Sequence, residues 1–553
     1  MKPLSRHTTN DSSKSYLERE LVISLDDGGP MVGATMMALE MDHEDTRTLE
    51  GDKRRSQDES TIENHTTKYD TQYTTDKQID DSASSVHSAN VTLSNRPWYE
   101  FWKVKQETHT DPRNFSPFKK YLILLIVSLA GSTSPISTTV YYPALVTMQH
   151  YFNTTDTLMN ASLSIFTFFT AFFPLIWASF GDVFGRRRIY LVSFLIAVVG
   201  SVCCAVSVNI TMFIVFRGFS AIGSSSVMSM GAGTLADIFE PHERGKAFAW
   251  YTCGPLLGPA LGPIIGGYLN QGLGWRSNFW FLSIFSCCIW ITMFFFFPET
   301  WRPAPAPGAE TSPVPGTENN NGSVKKKTKR LVNPLSALRL LLFPNITLAV
   351  SFVGVLFLVF YLLNTNFTRT YTIQYNLNSG IVGICYLPLA FGAMIGGISG
   401  GRISDRLYNK RVVQANGEST PEMRLGGPLF YIAIVLQMFA FTGYGWCVEK
   451  NLHFAYGLAF QFLVGVTIMF PNVVLSAYMV DCFRKKGASV TACNNFVRYC
   501  MAGVGSLIAS DIVNAMGNGI LFTVCGVALF LASGLILIII RYAKKWQKLR
   551  ECV

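Results

Sequence analysis

Charge is scarce in this chain. Only 15% of its 553 residues are Asp, Glu, Lys or Arg, against about 25% in soluble domains. Acids are absent from the middle of its long apolar stretches: Asp182, Asp237, Glu299, Asp405 and Asp481 fall at the ends that carry basic loops, and Asp511 at an opposite end. The 12 cysteines all follow residue 202 and form no Cys-x-x-Cys and no zinc spacing, so they read as small apolar packing residues and no metal is expected. No nucleophile–base set and no phosphate-binding loop appears, which argues against an enzyme, against ATP-driven work and against any cofactor. A cleavable signal peptide is missing, so the first apolar segment is expected to act as the targeting signal. Residues 1–118 lack a long apolar run and are rich in Ser, Thr, Asp, Glu and Lys. Such a segment cannot bury enough surface to order itself and is expected to be a disordered cytosolic tail.

What is present is apolar length. Residues of the hydrophobic types make up 49% of the chain. Twelve stretches near the ~20 residues needed to cross hydrocarbon fall at about 121–142, 158–180, 189–208, 211–233, 247–268 and 277–297, then 346–366, 380–401, 429–447, 454–475, 487–510 and 519–540. The pattern predicts an all-α membrane protein of twelve transmembrane helices in two six-helix halves, 119–298 and 346–540. A polar central loop, 299–345, separates them and carries Pro-x-Pro elements and the run Lys325-Lys326-Lys327-Thr328-Lys329-Arg330; a short tail, 541–553, follows. The lipid bilayer is the expected surrounding. The net charge of +10 reads as positive-inside bias, with no nucleic-acid partner.

Basic residues set the expected orientation. Arg186-Arg187-Arg188, Arg244, Lys246, the lysine run, Arg402, Arg406, Lys410, Arg411, Arg484-Lys485-Lys486 and the tail Lys544, Lys545, Lys548 and Arg550 fall on one side. The opposite loops offer little beyond Arg276, Arg369 and Lys450. Both termini are therefore expected in the cytosol, and the sequons at Asn153, Asn209 and Asn366 on the outer side.

Four local patterns stand out. The fifth span reads Gly254-Pro255-Leu256-Leu257-Gly258-Pro259-Ala260-Leu261-Gly262-Pro263-Ile264-Ile265-Gly266-Gly267. In a soluble helix each internal proline costs about 3 kcal/mol. In a membrane bundle the glycine stripe admits a neighbouring backbone, and neighbours tolerate the prolines. Gly392, Gly396 and Gly400 of the eighth span repeat the spacing, which predicts that the fifth and eighth helices pack glycine against glycine. The loop after the second span reads Ala178-Ser179-Phe180-Gly181-Asp182-Val183-Phe184-Gly185-Arg186-Arg187-Arg188, and the loop after the eighth Gly401-Arg402-Ile403-Ser404-Asp405-Arg406. Arg217 lies inside the fourth span, and Asn494-Asn495-Phe496-Val497-Arg498 inside the eleventh. An intramembrane arginine is costly and should face a cavity or a partner.

These patterns resemble the major facilitator superfamily. The fifth span resembles its antiporter motif, the two loops resemble its Gly-x-Leu-Ala-Asp-Arg-x-Gly-Arg-Lys motif in duplicate, and Arg217-Gly218-Phe219-Ser220-Ala221-Ile222-Gly223 resembles its Arg-x-x-Gln-Gly-x-Gly. Ala178, Val183, Ser220 and Ala221 depart from the pattern. Within the superfamily the chain is similar to fungal twelve-helix drug:proton antiporters, in the branch with quinidine-resistance, dityrosine and citrate exporters. The resemblance implies alternating access driven by protons, with Asp182, Arg186, Asp405 and Arg406 in gating and Gly254, Gly258, Pro259, Gly262, Pro263, Gly266 and Gly267 as the antiporter motif. Ser137-Thr138-Thr139-Val140-Tyr141-Tyr142-Pro143-Ala144 resembles a bacterial exporter sequence in which an Asp stands at the place of Thr139. The expected substrate site is Arg498, Asn494, Asn495, Arg217, Thr139 and Tyr141. With arginines and no acid it should prefer anionic or neutral small molecules. The expected function is export of organic anions or weak acids across the plasma membrane, the protein working as a monomer. Broad multidrug export and a non-transporting receptor are the alternatives.

Overall fold

The computed structural model describes residues 112–301, 334–483 and 486–551. Of the disordered tail expected over residues 1–118, residues 1–111 lie outside the described residues, as do the lysine run and Arg484 and Lys485, whereas Pro112–Asn114 forms a 3-10 turn and the first helix already begins at Pro117. Twelve helical units follow, among the described residues: α1 Pro117–Phe152, α2 Asp156–Phe184, α3 Arg186–Ala205, α4 Ile210–Ile238, α5 Pro241–Leu273, α6 Arg276–Phe296, α7 Pro344–Gln374, α8 Ser379–Gln414, α9 Pro428–Glu449, α10 Phe454–Cys482, α11 Gly487–Met516 and α12 Asn518–Arg541. Eleven are long and apolar enough to cross a membrane by composition alone. The exception is α5, where glycine and proline stand in place of aliphatic residues. A thirteenth helix, α13 (Ala543–Glu551), occupies most of the segment assigned to the tail, and a 3-10 turn over Pro334–Leu342 closes the central loop.

Packing repeats across the two halves. In the first half α1 lies on α5, α3 on α6 and α3 on α4; in the second α7 lies on α11, α9 on α12 and α9 on α10. Across the halves, α2 meets α11 and α8 meets α5. An offset of six in helix number thus exchanges each of these contacts for its counterpart, as two parallel repeats about an axis along the membrane normal require. One end of the bundle carries the α2–α3 and α8–α9 loops and their arginines, and is called here the basic end; the other is the far end.

The glycine stripes find partners other than those expected. Ideal Cβ atoms placed at Gly254, Gly258, Gly262 and Gly266 would meet Ser128, Pro135, Thr139 and Val140, all on α1. At Gly392, Gly396 and Gly400 they would meet backbone of Phe462, Val466 and Phe470 on α10. Helices α5 and α8 approach only at their far ends, where Gly267 faces the Ser379 carbonyl and Gly383 the Pro263 carbonyl. Equal spacing makes each stripe a seat for some backbone, and the chain seats both within their own halves.

Close approach also repairs the prolines. Pro255 has no N–H for the carbonyl of Tyr251 four residues back. The Ser128 hydroxyl of α1 lies 3.1 Å from that oxygen and 3.2 Å from the Trp250 carbonyl. Leaving a carbonyl bare in hydrocarbon would cost several kcal/mol. Of the sequons, Asn366 is 2% exposed and donates to the Ala509 carbonyl at 3.3 Å, so a glycan cannot be attached there without unfolding; Asn209 caps α4 by accepting from the Met212 N–H at 2.8 Å.

A methyl added at Gly266 would sit 1.6 Å from the Val140 carbonyl oxygen. Gly266→Ala should therefore lower thermal stability in detergent by about 1–3 kcal/mol, the usual cost of overpacking. Gly272→Ala on the same helix, with nothing within 4 Å, should melt at or above the wild-type temperature. Equal melting of the two variants would mean that α1 and α5 are not locked at this point.

Candidate functional site

Two polar assemblies lie at the basic end, one in each half. In the first, Gly185 turns the chain between α2 and α3 at φ 92°, a left-handed conformation suited to glycine; a Cβ there would lie 2.5 Å from Glu299 Oε2. Glu299 Oε1 accepts from the backbone N–H groups of Arg186, Thr300 and Trp301 at 2.9, 3.1 and 3.0 Å. A carboxylate from beyond α6 thus caps the N-terminus of α3, where orphan N–H groups and the helix dipole favour negative charge. The Arg186 guanidinium donates to Asp237 Oδ2 at 2.7 Å and to the Met230 carbonyl at 3.4 Å, and stands 4.0 Å from Asp182 Oδ1. Asp182 is about half exposed and Arg186 is not.

The second half reaches the same arrangement by another route. Arg424, in the 3-10 turn Pro421–Arg424 before α9, donates to both Asp405 and Asp481 and lies over the Tyr408 ring at 4.7 Å. Arg411 holds this turn by donating to the carbonyls of Met423, Leu425 and Gly426. Burial pulls the Arg424 pKa down, but Asp481 and Asp405 outweigh it and the net direction is up. In each half one arginine therefore ties the loop motif to the end of the fourth helix of that half. Arg424 was not among the residues singled out from sequence; the longer α8–α9 loop moves it away from the motif, and its place just before α9 was the available signal.

Deeper in the bundle the expected substrate residues separate into two groups. Arg217 is fully buried. Its Nη2 donates to the Ser137 carbonyl at 3.0 Å, in the last turn of α1's first segment, where carbonyls lack helical donors. Its guanidinium lies 4.2 Å from the Phe166 ring centre, 4.6 Å from Tyr141 and 5.8 Å from Phe279. Buried Nε and Nη1 have no partner. Tyr141 is also fully buried, its hydroxyl 2.7 Å from Ser162 Oγ. Thr139 donates to the Pro135 carbonyl at 2.9 Å and sits 3.3 Å from the Gly258 carbonyl, at the α1–α5 seam.

The other group is on α11. Arg498 is partly exposed; it lies 4.7 Å from the Phe357 ring centre on α7 and 4.9 Å from Tyr499, with Nη2 3.3 Å from the Tyr499 hydroxyl. Among the described residues its contacts include no carboxylate, and its buried Nε has no partner there. Asn494, one turn earlier, is buried with Oδ1 unpartnered, and Asn495 is partly exposed. Phe496 meets Phe172 of α2 edge-on at 4.9 Å, across the two halves.

Known proteins agree with this architecture. A family model described as the Major Facilitator Superfamily matches residues 127–506. The MFS antiporter QDR3 of Candida albicans is 28% identical over 84% of this chain and 83% of its own length. Dityrosine transporter 1 of Saccharomyces cerevisiae is 31% identical over 80% of this chain and 82% of its own. A bacterial homologue of the human lysosomal transporter Spinster, in an inward-facing and unoccupied conformation, has the same fold, with a TM-score of 0.56 at 15% identity over 79% of this chain and 98% of that one.

Arg424→Lys keeps the charge but loses the planar fork that serves two carboxylates. Thermal unfolding should show a loss of about 1–2 kcal/mol, and Asp405→Asn in the Arg424→Lys background should add little, since paired residues are not additive. Full additivity of the two losses would show that Arg424 does not bridge the acids.

Proposed function

The chain belongs to the major facilitator superfamily, whose members are membrane transporters rather than enzymes, and on that premise we propose that this multi-pass protein exports small organic compounds by proton-coupled antiport, with organic anions or weak acids as its main substrates. The carrying observation is Arg498. A guanidinium within a span, facing aromatic rings and with no carboxylate partner among the described residues, is costly until an anion joins it. A substrate carboxylate supplies that partner through two parallel hydrogen bonds, and Phe357 and Tyr499 offer faces for an apolar body. One relative is named for dityrosine, an aromatic amino acid that carries carboxylates. Broad export of neutral or cationic compounds is the second reading: the same ring faces attract flat cations, and another relative is named a multidrug transporter.

In this reading the halves rock about the central site. The assemblies of Asp182, Arg186 and Asp237, and of Asp405, Arg424 and Asp481, with Arg406 beside Asp405 in the chain, close the basic end when the site opens to the far side. The half-exposed Asp182 carboxylate, loosely held at 4.0 Å, supports a latch that is undone in the present state. The basic end is cytosolic by the positive-inside rule, both termini with it, in the plasma membrane. One chain supplies both halves of the site and works as a monomer.

Efflux from proteoliposomes with an imposed pH gradient, against a panel of weak acids, amines and neutral drugs, tests the substrate class. Arg498→Lys should weaken organic-anion efflux and Arg498→Ala should lower it at least about tenfold, or ~1.4 kcal/mol, while neutral compounds suffer less. Unchanged anion efflux in Arg498→Ala, or a wild type that moves only cations, would overturn the anion reading.

Asp182→Asn keeps the size and removes the charge. Turnover should fall severalfold with substrate affinity nearly unchanged, because Asp182 stands at the bundle end rather than at the centre. A loss of affinity at normal turnover would remove Asp182 from gating.

A further inference from the structure

Among the contacts that join the halves at the far end, two of unlike chemistry stand in symmetric places. Where α2 begins and α7 ends, Arg369 donates to Asp156 Oδ1 at 2.8 Å and to Gln149 Oε1, with Asn160 Oδ1 at 3.3 Å. The counterpart, where α8 breaks against α1, holds no charge: the Tyr386 and Tyr142 rings stack with centres 5.9 Å apart and planes at 11°. Flanking hydrogen bonds follow the same symmetry, Asn160 to Ser510 at 2.9 Å between α2 and α11, and Asn270 to Ser379 at 2.7 Å between α5 and α8. A buried apolar cluster runs continuously from the second half into Tyr141, Tyr142, Met148 and Phe213 of the first.

We propose that the Asp156–Arg369 pair is the latch of the far gate, a positioning pair that sets how often the transporter opens outward. This rests on the rocking-halves reading above. The chemistry divides the labour. The ring stack contributes apolar burial without fixing a unique geometry, while the ion pair is directional and joins one residue from each half. Asp156 is about one-third exposed and Arg369 about one-tenth, so the carboxylate regains water as soon as the halves part, and the pair can open and close reversibly. A fully buried pair would leave two bare charges on opening. Gln149 and Asn160 surround the pair with amides, which can turn either an oxygen or an N–H to it. Neither residue touches the Arg498 group, so breaking the latch changes the open fraction rather than the binding surface.

Thr167, on α2 two turns beyond Asn160, lies against Gly503 of α11 and is 1% exposed. Thr167→Cys is a reporter of the far gate: an impermeant methanethiosulfonate applied from outside labels it only when the gate opens, and peptide mass spectrometry separates it from the native cysteines. Asp156→Asn and Arg369→Gln should each raise its labelling rate about tenfold, with KM for an exported weak acid nearly unchanged. The charge swap Asp156→Arg with Arg369→Asp, which keeps the pair and guards against misfolding of the single variants, should return labelling to within about twofold of wild type. Wild-type labelling in the single variants, or no rescue by the swap, overturns the latch. If labelling behaves as expected but the wild type carries no proton-driven flux, the latch stands and the export reading falls. If flux is present and labelling does not move, the latch alone falls.

Discussion

Inside hydrocarbon a backbone carbonyl has no water to turn to, and that constraint organises the first half around α5. Three internal prolines remove three donors from its ladder. The remedy must come from a neighbour close enough to reach the backbone, and only glycine leaves room for that neighbour. The glycine stripe and the prolines are therefore one device. Gly254 lets the α1 backbone approach at Ser128, and the Ser128 hydroxyl then meets the carbonyls at Trp250 and Tyr251. The Thr139 hydroxyl touches α5 at Gly258 two turns or more beyond. What resembled a substrate contact by position is, in this state, also a clasp between two helices.

The same accounting separates the two intramembrane arginines. Arg217 is enclosed, tied to one α1 carbonyl and packed among three rings. It joins the break in α1 to α4 and leaves two nitrogens for water or movement. Arg498 faces partly open space, with rings beside it and no acid. Cost without an anionic partner among the described residues is what points to a ligand, and the difference between the two arginines lies in exposure rather than in residue type.

At its two ends the bundle uses charge differently. At the basic end, arginines tie loops to helix ends within each half: Arg186 to Asp237, and Arg424 to Asp405 and Asp481. At the far end Arg369 joins one half to the other through Asp156. In the proposed rocking of the halves, ties within a half keep it rigid, whereas ties between halves must break. Rigid-body rocking needs both.

Much of this was readable from sequence. Apolar length marked the spans, since hydrocarbon thickness sets about twenty residues per crossing, with the Gly-Pro motif identifying the fifth; the polar central loop marked the division into halves, and the duplicated motif around Asp182 and Asp405 supported it. The cost of Arg217 and Arg498 was readable as a demand for partners. Partner choice was not readable. A glycine stripe with period four accepts any backbone, so only packing decided that Gly254–Gly266 seat α1 and Gly392–Gly400 seat α10. Arg424 and Arg369 lie in or near loops where no periodicity marks them; the carboxylates that Arg424 meets are 19 and 57 residues away along the chain, and the one that Arg369 meets is 213 away. The residues themselves specify what each local segment needs in a low dielectric; which distant residue answers that need is settled by the three-dimensional path that brings them within reach.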